Sequence, residues 1–321
     1  MGDIKVSFII PCYNAQTYIH RCITSIYSTV PYEIIVVNDG SLDDTRQVIE
    51  RLQQNHQEIR LLNKENEGVN AARRDGWRMA KGEYVCFVDA DDTVEWTDEL
   101  LQFFYSDADI IKTAGYYVTS CGLELYKNVY EGRVDGMEQA YKLMINGQIL
   151  PFVHTAFYRN SIIDEECFDI PCRFSIGEDL LFNLNVMSKV GKMVCLPIPF
   201  YRYLMNEASV MHTKVWGFNY IRDFNAMLSS IVLRRVPKLE RQIVKHRFFD
   251  YVGTLLFPEV KFKKEYYQEI RSMIVQYPWL LKEAPRRLVF GIKNEYTYHL
   301  YLWVYRSFQK MKGKGRRGVL D

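Results

Sequence analysis

Four short apolar runs, each ending in a polar loop and followed by a segment of helical spacing, constrain the fold of this chain more than any other feature. They are VSFII (6–10), EIIVVN (33–38), IRLLN (59–63) and YVCFVD (84–89). Runs of this length, rich in Val and Ile and bounded by turn-forming residues, read as buried strands. Between the first two, QTYIHRCITSIY sets Tyr18, Cys22 and Ile26 four residues apart. DGSLDDTRQVIERL follows the second, with Ser41 as the expected N-cap and Val48, Ile49 and Leu52 as an apolar face. NAARRDGWRMA reads as a third helix that stops near Gly82, ELLQFFY as a short helix and DIIKTAGYYVT as a fifth strand. The alternation predicts an α/β fold with a largely parallel sheet.

Ligands of such sheets gather at the carboxyl ends of the strands. The loops PCYN (11–14), NDGS (38–41), NKENEG (63–68) and DADD (89–92) are therefore expected along one edge. Placement at that edge is common to many chemistries and does not choose among them. From about 120 to 215 the pattern loosens: GMEQAYKLMI and EDLLFNLNVMSKV read as helices, KMVCL and FYRYL as strands. Beyond about 216 the chain reads as helical. The expected division is 1–215 and 216–321, and charge supports it: the first part has a net charge of −10 and the second +12, which together give the +2 of the whole.

Composition narrows the classes. Hydrophobic residues make up 48% and charged residues 25% of the 321, values of an ordinary globular protein. No apolar run is long enough to span a bilayer, the N-terminus lacks a signal-peptide pattern, and Val6 breaks the myristoylation pattern. The seven cysteines are scattered without a C-x-x-C pair, which argues for reduced thiols rather than a disulfide framework or structural zinc. These features predict a cytoplasmic protein.

The chemistry concentrates in the acidic loop. Asp89, Asp91 and Asp92 fall within four positions at a strand end, where their repulsion makes burial without a positive partner costly. Mg²⁺ or Mn²⁺ takes oxygen ligands, commonly one or two carboxylates plus substrate phosphates. The alternative is a solvated acidic turn capping the next helix through Asp92 or Thr93. Asp39 follows a strand as closely as Asp89 does, and Gly40 and Ser41 allow a tight turn into a helix N-terminus suited to polar or anionic ligands. Asp39 could equally cap that helix. Arg73 and Arg74 lie on the helix after the third strand, where an arginine could pair with a diphosphate or simply face solvent.

Taken in order and spacing, PCYN, NDGS, NEGVNAARRDG, KGEYVCFVDADD and GEDLLF resemble the family-2 glycosyltransferases of the GT-A type, over roughly residues 4 to 210. The resemblance implies a Rossmann-like nucleotide-binding sheet with a C-terminal helical extension, and inverting, non-processive transfer from a nucleotide-sugar. The donor would be a UDP-sugar and the acceptor a glycan or lipid-linked hydroxyl. It implies that Pro11, Tyr13, Asn14, Gly40 and Ser41 frame the nucleotide, that Asp39 accepts from the uracil N–H, and that Arg73 approaches the diphosphate. Asp89 would lie near the ribose, with Asp91 on Mn²⁺ or Mg²⁺ and Asp92 the lesser ligand. Asp179 would be the general base, with Glu178 touching the acceptor or orienting the loop. Arg74 stands where the family often has Asn. The Q-x-x-R-W signature of processive synthases is absent. His212, in NEASVMHT, is left outside the metal set.

The C-terminal stretch YHLYLWVYRSFQKMKGKGRRG sets Leu300, Val304, Phe308 and Met311 at helical spacing before a basic run. Such a segment suits an anionic membrane surface, and equally a core or homodimer helix with a basic tail. A nucleotidyltransferase would also use paired carboxylates and a metal, but its Gly-rich basic N-terminal loop is missing. A nucleic-acid binder is disfavoured because the positive charge concentrates at the tail and no recognition motif accompanies it.

Overall fold

The computed structural model describes residues 3–205, 214–255, 260, 263–283 and 318–320. The chain divides into two compact units, Met1–Met205 and Asn206–Asp321.

In the first unit, β1 (Val6–Cys12), β2 (Tyr32–Asp39), β3 (Ile59–Lys64) and β4 (Tyr84–Phe87) are mutually parallel in the order β3-β2-β1-β4. They are linked by α1 (Ile19–Ser25), α2 (Thr45–Gln53) and α3 (Val69–Met79). Alternation sorts the side chains. Val6, Phe8 and Ile10 of β1 join Ile34, Val36, Tyr84 and Cys86 in a core closed by Ile19, Cys22 and Ile23 of α1 and Ile49 of α2. Each such Phe or Ile contributes about 1.5–3 kcal/mol on burial. On the other face Ile9 meets α3. A methyl group on Gly76 would sit 2.4 Å from the Ile9 side chain, so only glycine lets α3 lie this close to β1.

The second half of the unit completes the sheet. After β5 (Thr93–Val94) and a 3₁₀ helix (Asp98–Tyr105) come β6 (Ile110–Thr119), β7 (Gly122–Tyr126), β8 (Gly132–Asp135), α4 (Gly136–Ile145), β9 (Ala156–Arg159), α5 (Glu178–Met187) and β10 (Lys192–Leu204). The order continues β4-β9-β6-β10-β5. β9 runs antiparallel to both β4 and β6, whereas β10 is parallel to β6. The sheet is therefore mixed and mostly parallel on its N-terminal side. KMVCL and FYRYL, read as two strands, form one bulged strand, because pairing with β6 resumes at Pro199 after a register shift from Cys195. All seven cysteines are free.

The second unit has its own core. α6 (Phe218–Arg235), α7 (Glu240–Leu255) and α8 (Lys264–Gln276) bury Phe218, Ile221, Phe248, Tyr251, Tyr266 and Ile270 against one another, followed by α9 (Leu280–Glu283). β11 (Lys214–Trp216) pairs in parallel with β12 (Gly318–Leu320), a departure from the all-helical reading. The stretch 297–317 expected to meet a membrane, and His212, lie outside the described residues.

Candidate active site

β4 ends at Phe87, and Val88 makes the last link to β1 through its N–H to the Ile9 carbonyl, 2.9 Å. Asp89 is the first residue free of the sheet. The Asp92 N–H donates to the Asp89 carbonyl at 3.1 Å and closes a turn over 89–92. Within it the three carboxylates have different fates. Asp92 points inward: its Oδ2 accepts from the Tyr201 hydroxyl (2.6 Å) and its Oδ1 from the Leu204 N–H (2.7 Å). It thus ties the turn to β10 rather than capping a helix. Burial, then Asp89 and Asp91, push it up to about 8. Asp91 is half-buried and raised by burial and by Asp89, yet among the described residues no other side chain hydrogen-bonds its carboxylate; its carbonyl is taken by Arg21 at 2.7 Å. Burial alone would raise Asp89, but His154 and the Arg73 guanidinium hold it well below the ordinary carboxylate range.

Arg73 stands at the centre. It lies on the second turn of α3, and Asp39 fixes the start of that helix by accepting the Glu67 N–H (3.0 Å) and Gly68 N–H (2.8 Å). Asp39 therefore caps the helix after β3, not the one after its own strand. Arg73 is 4% exposed. Its Nη1 donates to Asp179 Oδ1 at 2.8 Å and its Nη2 to Asp89 Oδ1 at 3.1 Å, with Glu178 Oε1 3.8 Å from Nη1. Its Nε is buried with no hydrogen-bond partner among the described residues. Burial works against the charge, but Asp179, Asp89 and Glu178 outweigh it and keep Arg73 cationic. The arginine expected beside a diphosphate thus has both terminal nitrogens on carboxylates. Arg74 pairs instead with its neighbour Asp75, 3.2 Å.

Glu178 and Asp179 open α5 directly after Gly177, whose φ of +86° suits glycine. Asp179 Oδ2 accepts the Val153 N–H at 3.1 Å. Asn183, one turn on, donates to the Pro151 carbonyl (2.6 Å) and the Asp179 carbonyl (2.8 Å), locking α5 to the 151–155 segment. Burial and the adjacent Asp179, partly offset by Arg73, push Glu178 up to about 7.

The loops after β1 and β2 are stitched to each other. The Asn14 N–H donates to Ser41 Oγ (2.9 Å) and the Leu42 N–H to Asn14 Oδ1 (2.8 Å), with Asn14 at φ +50°. The Ser41 N–H donates to Asn38 Oδ1 at 3.2 Å. Gly40 has φ +76°, and a Cβ there would lie 2.8 Å from the Asn66 nitrogen. Pro11 is buried and Tyr13 is half-exposed. Ser41 is not the N-cap of α2: that helix begins at Thr45, whose N–H donates to Asp43 Oδ1 at 3.0 Å.

Three neighbours escaped the sequence reading. His154 is 4% exposed, stacks on Tyr201 (centroids 4.1 Å) and Phe152 (5.1 Å), and holds Nδ1 3.7 Å from Asp89 Oδ2. Tyr201 accepts the Asp89 N–H at 3.1 Å. Lys112 is fully buried on β6. A lone His, Tyr or Lys beside a strand carries no pattern of its own. Their nearness to the acids depends on β9 entering between β4 and β6, which no local signal announces.

Among the described residues, no three His, Cys, Asp or Glu side chains surround one point as a metal cage. A divalent ion here would need ligands from a substrate, and the unengaged, crowded Asp91 carboxylate is the protein group that fits it.

Residues 7–166 match the family described as Glycosyl transferase family 2. The chain is 26% identical over 319 residues to the poly(ribitol-phosphate) beta-glucosyltransferase of Bacillus spizizenii, covering 91% of this chain and 49% of that protein. It is 28% identical over 247 residues to the glycosyltransferase GlyA of Streptococcus pneumoniae serotype 4, covering 72% and 35%. The chain spans about one third to two thirds of the length of these two relatives and of the putative glycosyltransferase EpsH of Bacillus subtilis. Among solved structures, S. aureus TarS 1–349 in complex with UDP-GlcNAc superposes with a TM-score of 0.66 at 18% identity, over 98% of this chain and 93% of that one. This likeness establishes the fold.

Proposed function

The chain belongs to glycosyltransferase family 2, and we propose that it transfers one sugar, with inversion, from a UDP-sugar to a hydroxyl of a glycan or lipid-linked acceptor in surface-polysaccharide synthesis. The observation that carries the reading is the convergence of Asp89, Glu178 and Asp179, from two segments about ninety residues apart, on the buried guanidinium of Arg73.

Inversion needs one displacement, in which the acceptor hydroxyl loses its proton as it attacks the anomeric carbon. Asp179 is the base. Arg73 holds one of its oxygens and the Val153 N–H the other, and each oxygen keeps a second lone pair to accept the acceptor O–H. Glu178, beside it, orients the acceptor. On the donor side, Asp39 is immobilised by two amides and accepts the uracil N–H with its remaining lone pairs. The stitched loops of Pro11–Asn14 and Gly40–Ser41 frame the base, and Asp89 meets the ribose. Arg73 supplies positive charge beside the diphosphate. Mn²⁺ or Mg²⁺ on Asp91 would supply Lewis-acid neutralisation of the departing diphosphate. The partners are a nucleotide-sugar, a glycan or lipid-linked acceptor, and a membrane surface or second copy met by residues beyond 216.

Calorimetry with UDP and Mn²⁺ tests the donor side. The parent should bind UDP more tightly with Mn²⁺, and Asp91→Ala should abolish that gain; an unchanged gain would remove Asp91 from the metal. Asp179→Asn should keep UDP binding and lose about 10²–10⁴ in transfer rate. Near-normal turnover would move the base elsewhere.

A further inference from the structure

Lys112 is the one lysine on the central strands with no solvent exposure. It sits on β6 between Ala156 of β9 and Cys195 of β10. Its Nζ donates to the Phe152 carbonyl at 2.6 Å, an oxygen that also receives the Thr155 hydroxyl at 3.4 Å. That carbonyl belongs to the same peptide group as the Val153 N–H, which donates to Asp179 Oδ2 at 3.1 Å. The order is therefore ammonium, carbonyl, amide N–H, carboxylate. A cation on a carbonyl draws electron density from its amide and strengthens the N–H as a donor, as hydrogen bonds in series do in a low-dielectric interior.

Resting on the reading of Asp179 as base, we infer that Lys112 is a positioning residue for that carboxylate, acting through the Phe152–Val153 peptide. It fixes the rotamer of Asp179 by holding the peptide plane, and its charge polarises the amide that donates to Asp179 Oδ2. The ionisable groups around this pair are the Cys195 thiol on β10, the Tyr158 phenol on β9, Arg73 on α3, and Glu178 next to Asp179 on α5. Of these only Arg73 is a second cation, and it binds the other oxygen. The two cations thus grip Asp179 from opposite oxygens, one directly and one through a peptide. The simpler role, a lysine that only plugs the core, would not need a charge.

The test is the kcat and donor KM of UDP release from whichever UDP-sugar in a panel turns over fastest, in the full chain with Mn²⁺. Lys112→Met keeps the stem and removes the charge, Lys112→Gln keeps a neutral donor, and Lys112→Arg keeps the charge. In the Met and Gln variants kcat should fall about tenfold with the donor KM unchanged. Lys112→Arg should restore most of the parent's kcat. UDP affinity should be unchanged in all three. An equal loss in the Arg variant, or no loss in any variant, overturns the assignment. So does an outcome in which only the Arg variant folds, because the charge would then serve the fold. A parent that releases no UDP from any sugar overturns this inference and the transferase reading together.

Discussion

Asp92 shows how neighbouring acids of one short turn acquire separate tasks. Buried and held by Tyr201 and Leu204, it is raised to about 8, far above the ordinary carboxylate value of about 4. A group whose pKa is higher in the folded state binds more protons there, so stability falls as pH rises between those two values. The parent should lose on the order of a few kcal/mol between pH 5 and pH 8 by urea denaturation, and Asp92→Asn, neutral throughout, should lose less. Identical declines would show that Asp92 does not set the slope. At this scale the sequence revealed the acids but not their division of labour. Asp39, Asp89 and Asp91 are legible because each follows an apolar run. Glu178 and Asp179 are legible only through the resemblance of GEDLLF to a family motif. His154, Tyr201 and Lys112 were not legible, since their part comes from burial and cross-strand contact.

Elements built from local pattern were the readable ones. β1 to β4 and α1 to α3 lie where apolar periodicity placed them, because each pairs with or packs on its neighbour in the chain. β7, β8 and β9 were missed: they are short, and β9 owes its existence to pairing with β4 and β6, which precede it by 44 to 75 residues on the register Ala156↔Lys112 and Tyr84↔Arg159. Loop chemistry also misled. Ser41 follows a glycine as a cap should, yet its hydroxyl serves the Asn14 N–H and the helix waits until Thr45. The turn before it is constrained by Gly40, whose positive φ and close approach to the Asn66 backbone both exclude a side chain. Gly40→Ala should cost about 1–3 kcal/mol of stability in denaturant and weaken UDP binding by shifting Ser41. A variant as stable as the parent would mean the loop has slack the geometry does not suggest.

The whole molecule pairs an acidic sheet unit with a basic helical one. The expected boundary near 215 and the structural parting after Met205 both leave the acids, Arg73 and the loops after β1 and β2 within the first unit. That unit has a continuous core of its own. A protein of residues 1–205 should therefore fold cooperatively and bind UDP with Mn²⁺ within about tenfold of the full chain. Loss of that binding with the fold retained would assign part of the nucleotide site to residues beyond 205. No helix among the described residues is long and apolar enough to cross a membrane. For contact with a bilayer, the basic stretch near 297–317 is the sequence candidate.

The guanidinium shared by Asp89 and Asp179 has a kinetic corollary. On the proposed mechanism, a diphosphate that draws Arg73 toward itself must slacken its hold on both acids, so the carboxylate proposed as base is freed when the nucleotide is seated. Such an enzyme would follow compulsory-order kinetics, donor before acceptor.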